Sequence, residues 1–330
     1  MPDVAKALWT PTGESIANSR MNRFAQMVNE SGDLHAWSIN QPEQFWSLVW
    51  DDCGVVGHKG ERSFLAAQPG SPMSTAQFFP DARISVVENM LATTGSHDAL
   101  VAIDEAGSRR TRSWDELRER VASIASALQA RGVAAGDRVA AWLPNSIEAI
   151  EVMLGAASIG AVFSSSSPDF GANGVLDRFG QIEPKVLFAV DGYLYNGKQF
   201  DCLERLNEIR KGLPTVVETI VVSSIGTVVP EGAVAYNDFV ASGSNTPVSP
   251  QRFAFDHPWY VLYSSGTTGI PKCIVHRTGG VLLQHMKEHQ LHCDIQQADR
   301  VMYFTTTGWM MWNWLVSVLA SGATAVLFDG

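Results

Sequence analysis

The chain has 330 residues, 45% hydrophobic and only 18% charged, with 28 glycines and 15 prolines. That composition excludes a disordered, collagen-like or low-complexity protein, and a charged fraction below the usual value of roughly 25% demands a large interior. A net charge of −10, with no basic run longer than a pair such as Arg109-Arg110, argues against nucleic acid as a partner.

Four cysteines, Cys53, Cys202, Cys273 and Cys293, lie far apart without a C-x-x-C spacing. They fit neither a zinc set nor a disulfide framework. The first residues carry no basic stretch followed by an apolar one, so a cytoplasmic location is expected.

Residues 1–88 are rich in Trp and polar turns and read as an N-terminal extension. Pro42 opens its one amphipathic piece, with Phe45, Trp46, Val49 and Trp50 at helical spacing; the neighbouring Asp51-Asp52 reads as a solvated helix end. From Ser113 the chain becomes rhythmic. Ser113 and Glu116 form a capping box, and Leu117, Val121, Ile124 and Leu128 mark one face of a helix that Gly132 stops. A strand is predicted at 138–143, a second helix at 147–159 after Pro144-Asn145-Ser146, and short strands at 161–163, 186–190, 219–222 and 259–263. Such alternation predicts an α/β fold with a largely parallel sheet. Residues 242–250 read as a linker. Residues 301–328 contain no charge and are long enough to span a bilayer, but Thr305-Thr306-Thr307-Gly308 and Ser321-Gly322 break them into strand, helix and strand, which predicts buried α/β elements and no membrane association.

After the 259–263 strand comes Tyr263-Ser264-Ser265-Gly266-Thr267-Thr268-Gly269-Ile270-Pro271-Lys272. Two glycines allow a tight turn with inward N–H groups, hydroxyls add donors, and a lysine closes the run, which is what wrapping a polyphosphate needs. It is not a Walker A loop. On composition alone it fits an ordinary Ser/Gly/Thr surface turn equally well.

Taken as a sequence, Ser264 to Lys272 resembles the signature phosphate loop of the adenylate-forming superfamily of acyl-CoA synthetases, luciferases and peptide-synthetase adenylation domains. Gly136-Asp137-Arg138-Val139-Ala140, Leu143-Pro144-Asn145-Ser146 and Gly160-Ala161-Val162 add to the likeness, which covers roughly residues 85–330. The extension, with Trp37-Ser38 and Phe45-Trp46, is similar to that of the short-acid CoA ligases. Within them the runs 164–171, 195–198 and 305–314 resemble the enzymes that act on a 3-oxo acid.

The resemblance implies an N-terminal adenylation domain of parallel sheets flanked by helices, layered α/β/α/β/α, spanning 89–330 and incomplete at its C-terminal side. It implies an acid–CoA ligase using ATP, Mg²⁺ and CoA on acetoacetate or a similar short acid through an acyl-adenylate. Related ligases of acetate, propionate or butyrate, and a non-catalytic nucleotide-binding fragment, remain alternatives. Ser264, Ser265, Gly266, Thr267, Thr268 and Gly269 are assigned to the ATP phosphates with Lys272 as their cation, Thr268 and Lys272 carrying catalysis. Trp309, Met310, Met311, Trp312 and Asn313 are assigned to the acyl pocket, Asn313 as an amide for the 3-oxo group; all five also fit plain packing on a buried helix. Lys198 is placed toward CoA, and a solvated surface lysine fits it equally. The superfamily's later motifs have no counterpart here, so the remaining C-terminal portion of the same enzyme is an implied partner, and the 330 residues alone are expected to be inactive and poorly stable.

His285-Met286-Lys287-Glu288-His289, with His292 one turn on, matches an H-x-x-E-H zinc pattern. A five-residue match arises easily by chance. No metal site is assigned, and His276 is read as a core histidine.

Overall fold

The computed structural model describes residues 7–28, 33–244, 251–264 and 269–330. Its centre is a seven-stranded sheet in the order Val234–Ala235, Glu218–Val222, Val186–Val190, Arg138–Trp142, Val162–Ser166, Pro258–Ser264, Lys272–Arg277. Every neighbouring pair is parallel except the last, which is an antiparallel hairpin. A second sheet orders Arg300–Met302, Thr324–Asp329, Asp98–Asp104 and Arg109–Ser113, parallel for its first three strands and antiparallel for the last pair.

The helix Ile147–Ser158 packs against strands of both sheets and against the helix Trp114–Ala130. Burial on two sides explains why it is apolar nearly all round. Gly155 sets the helix spacing: a Cβ there would lie 2.4 Å from Ile124 Cγ2. Trp114–Ala130 begins at the capping box read from the sequence, with the Ser113 and Glu116 side chains each bonded to the other's backbone N–H.

Two carboxylates sit inside this layer. Glu148 takes a bidentate bond from Arg110 at 2.6 and 3.0 Å. Burial opposes its charge, but Arg110 prevails and holds the carboxyl below its usual range. Glu151 accepts from Arg112 Nε at 2.8 Å and Tyr236 Oη at 2.5 Å; there burial outweighs the cations and pushes the carboxyl up.

The N-terminal helix Pro42–Asp52 buries Val49 and Trp50. Trp50 packs on Phe79 at 4.9 Å between ring centroids, and Phe79 on Phe255 at 5.0 Å. A small antiparallel sheet joins Gly57–His58, Arg83–Ile84 and Phe253–Ala254, so this stretch shares hydrogen bonds with a strand from far along the chain. Asp51-Asp52 is not a merely solvated end, because Asp51 pairs with Lys59 at 2.6 Å and Asp52 with Arg20 at 3.3 Å.

The uncharged run resolves into Arg300–Met302, the helix Met310–Val316, a 3-10 turn Ser317–Ser321 and Thr324–Asp329. Among the described residues no helix is long and apolar enough to cross a membrane. The predicted strand at 161–163 runs instead from Val162 to Ser166, because Ser164, Ser165 and Ser166 are buried against neighbouring strands. The linker read at 242–250 lies largely outside the described residues.

Candidate active site

The phosphate-loop candidate connects the hairpin strands Pro258–Ser264 and Lys272–Arg277. Ser264 faces Lys272 in the register and Tyr263 faces Cys273. Ser265, Gly266, Thr267 and Thr268 lie outside the described residues. Gly269 adopts φ +102°, a conformation open to glycine and strained for other residues. Lys272 starts the returning edge strand and is exposed.

Below the loop, Tyr263 Oη meets Ser164 Oγ at 3.0 Å, and burial pushes the phenol above its usual range. The next residue on that strand, Ser165, donates to the Thr307 carbonyl at 2.7 Å. Because successive strand residues point to opposite faces, Ser164 reaches the loop's foot while Ser165 reaches the head of the 305–313 segment.

That segment divides into two environments. Trp309 and Met310 are 66% and 49% exposed, and Met311 is half-buried. Trp312 and Asn313 are sealed, both 0% exposed. Trp312 stacks on Phe163 and donates its indole N–H to Asn145 Oδ1 at 2.9 Å. Asn313 is a buried amide without a hydrogen-bond partner at either side-chain atom. The structure thus brings Tyr263, at the foot of the loop, and Thr307 of the 305–313 segment to one strand, while the five pocket candidates do not share one surface.

A cavity of about 440 Å³ adjoins the segment, lined among others by Pro144, Asn145, Tyr193, Tyr195, Phe304 and Phe328. The strand Gly192–Tyr195, paired antiparallel with Lys198–Asp201, forms one wall. The tip of this hairpin, Asn196-Gly197, has both residues at positive φ, +51° and +69°, the turn that matches strand twist. Glu105 accepts from both tip N–H groups at 2.8 and 2.9 Å. Lys198 is exposed at that tip.

The histidine cluster has other partners. His285 Nδ1 lies 2.9 Å from Ser317 Oγ, His289 packs edge-on to Trp314 at 4.5 Å, and His292 is exposed. Burial drives His285 down to about 3 and His289 to about 4. Among the described residues no three His, Cys, Asp or Glu side chains converge to hold a metal. His276 is half-buried, stacked on Tyr260, with burial lowering its pKa.

Sequence reasoning passed over Asn145. Its side-chain amide donates to the Thr305 and Phe328 carbonyls at 3.3 and 3.2 Å while accepting from Trp312. The signal lies in Leu143-Pro144-Asn145-Ser146, which reads as a turn and as part of the superfamily likeness without a role for Asn145 itself.

A model of the AMP-binding enzyme family matches residues 87–330. An acetoacetyl-coenzyme A synthetase of Rhizobium meliloti (strain 1021) is 46% identical over 98% of this chain, and an acetoacetyl-CoA synthetase of Danio rerio is 41% identical over 99%. The solved structure of an acetoacetyl-CoA synthetase from Streptomyces lividans superimposes with a TM-score of 0.91 at 42% identity, covering 98% of the chain. In each comparison the chain spans 51% of the relative's length.

Proposed function

This chain belongs to the AMP-binding enzyme family, and we propose on that footing that it forms the nucleotide- and acid-binding half of an AMP-forming acid–CoA ligase for acetoacetate or a close short-chain relative. The observation that carries the reading is the double reach of one strand, Ser164 to Tyr263 and Ser165 to Thr307. Ser164 meets the foot of the loop read as suited to polyphosphate and Ser165, from the opposite face of the same strand, meets the segment read as suited to a small acid, which supports the reading. The sequence likeness to relatives named for acetoacetyl-CoA supports the choice of acid.

In the proposed reaction the acid's carboxylate oxygen attacks the α-phosphorus of ATP. The bond from that phosphorus to the bridging oxygen breaks, and pyrophosphate leaves with the electron pair. The CoA thiol, giving up its proton, then attacks the acyl carbon and expels AMP to leave the thioester. A carboxylate is a weak nucleophile, so the rate rests on in-line placement and on neutralising charge that grows on the leaving phosphates. Ser264, Ser265, Gly266, Thr267, Thr268 and Gly269 would donate to the β- and γ-phosphates, and Lys272 would supply the cation. Mg²⁺ would enter with the triphosphate as part of the substrate.

Trp309, Met310 and Met311 would form the apolar wall met by the acid, with Trp312 and Asn313 behind them. Lys198, at the tip held by Glu105, would face the CoA phosphates.

Acid-dependent exchange of pyrophosphate into ATP by the full-length protein tests the reading across acetate, propionate, butyrate and acetoacetate. Acetoacetate should give the highest kcat/KM. Exchange that ignores the acid, or that favours acetate, would overturn it.

A further inference from the structure

We propose that Asn145 is a positioning residue that holds the acid-facing segment against the central sheet; this rests on the reading that residues 305–313 line the acid's pocket. Asn145 is 4% exposed and lies just beyond the carboxyl end of the strand Arg138–Trp142, the side on which open α/β sheets bind their ligands. Its amide uses both ends. Nδ2 donates to Thr305 O and Phe328 O, and Oδ1 accepts from Trp312 Nε1. One side chain therefore ties the start of the segment, the end of the strand Thr324–Asp329 and the helix Met310–Val316 to the turn that follows a central strand.

Two further bonds act in the same place. Thr307 Oγ1 donates to Leu143 O at 2.7 Å and Ser165 Oγ to Thr307 O at 2.7 Å. Together they fix residues 305, 307 and 312 and leave Trp309 and Met310, between those anchors, exposed. A segment anchored at both ends with an unanchored apolar middle presents that middle at a set distance from the loop. Releasing one anchor would let it drift, and a misplacement of about 1 Å is enough to cost about 100-fold in rate.

Asn145→Asp keeps the acceptor for Trp312 and turns both donations into repulsions between oxygens. Trp312→Phe keeps a ring against Phe163 and removes only the indole donor. The control is Asn89→Asp, since Asn89 is another sealed amide with three bonds, to Val56 N, Val56 O and Ser85 O, at the extension. In the full-length protein, Asn145→Asp should lower kcat/KM for acetoacetate by about 10- to 100-fold and change its ratio to butyrate, with KM for ATP within about twofold of wild type. Trp312→Phe should move the same ratio less, and Asn89→Asp should lose thermal stability with the ratio unchanged. Equal loss on every acid, or the same ratio change in Asn89→Asp, would overturn the proposal. Hydrogen exchange supplies a readout independent of activity: the amides of 305–312 should lose protection in Asn145→Asp and keep it in Asn89→Asp. If the wild type shows no acid-dependent exchange the functional reading fails by itself, and unaltered protection in Asn145→Asp would then refute the positioning role.

Discussion

Acid should unfold this protein through two buried imidazoles. His285 and His289 sit where the helix Thr278–Lys287 runs on into the turn Glu288–His292, against Ser317 and Trp314. Burial lowers them to about 3 and about 4, from an ordinary value of 6.5. The beside-lying Trp314 backbone pulls His289 the other way, more weakly. A histidine depressed in the folded state binds fewer protons there than in the unfolded chain, so its stability is complete above pH 6.5 and drains away as pH falls toward the folded value. Going from pH 7.5 to 5, each histidine should remove about 2 kcal/mol, or about 4 kcal/mol for the pair. Glu151, whose carboxyl is raised, works in the opposite direction in acid, so the measurement is a difference. Urea unfolding of wild type and His289→Leu, at pH 7.5 and at pH 5, should show the variant losing about 2 kcal/mol less across that interval. Parallel losses in the two proteins would refute the reasoning.

Glu151 is paired with Arg112 at 2.8 Å and with Arg120 at 3.5 Å; Arg112→Met removes the nearer cation and should cost about 3 kcal/mol in denaturant unfolding, since the sealed carboxylate is left under-compensated, and a loss under about 1 kcal/mol would assign the charge to Arg120 and Tyr236 alone. Gly155→Ala should destabilise by about 1–3 kcal/mol, because its Cβ meets Ile124 and the two helices must part. Unchanged thermal stability would show that the helices shift freely. Lys272→Ala and Thr268→Ala should each slow acid-dependent pyrophosphate exchange by about 100-fold, the scale of removing one donor from a developing negative charge. Normal exchange in both would remove the loop from the proposed chemistry.

Elements set by strong local signals were legible. The capping box at Ser113 and Glu116, the helix after Ser146 and the strand Val186–Val190 follow from hydroxyl caps and from apolar runs that tertiary packing does not override. The serine strand was legible only in part. Serine has little strand preference, and Ser164 to Ser166 extend the strand because the Ser164 and Ser165 hydroxyls and the backbone of all three find partners on neighbouring elements. Two antiparallel pairs, Asp98–Asp104 with Arg109–Ser113 in one sheet and Pro258–Ser264 with Lys272–Arg277 in the other, went unpredicted where largely parallel pairing was expected. Their partners are specified by register across space, which periodicity along one chain does not carry. At the candidate site, the residue types around Ser264 and Trp309 carry the proposed chemistry. The division of the 305–313 segment into exposed Met310 and sealed Trp312 was not legible, since Trp312 bonds to Asn145, more than 160 residues earlier.

The central claim is tested most directly by identifying the products formed when the full-length protein meets ATP, Mg²⁺ and acetoacetate without CoA, followed by mass spectrometry. An acetoacetyl-adenylate and pyrophosphate should form in equal amounts and be converted to thioester and AMP once CoA is added. ADP and phosphate in their place, or nucleotide turnover that does not depend on the acid, would contradict it.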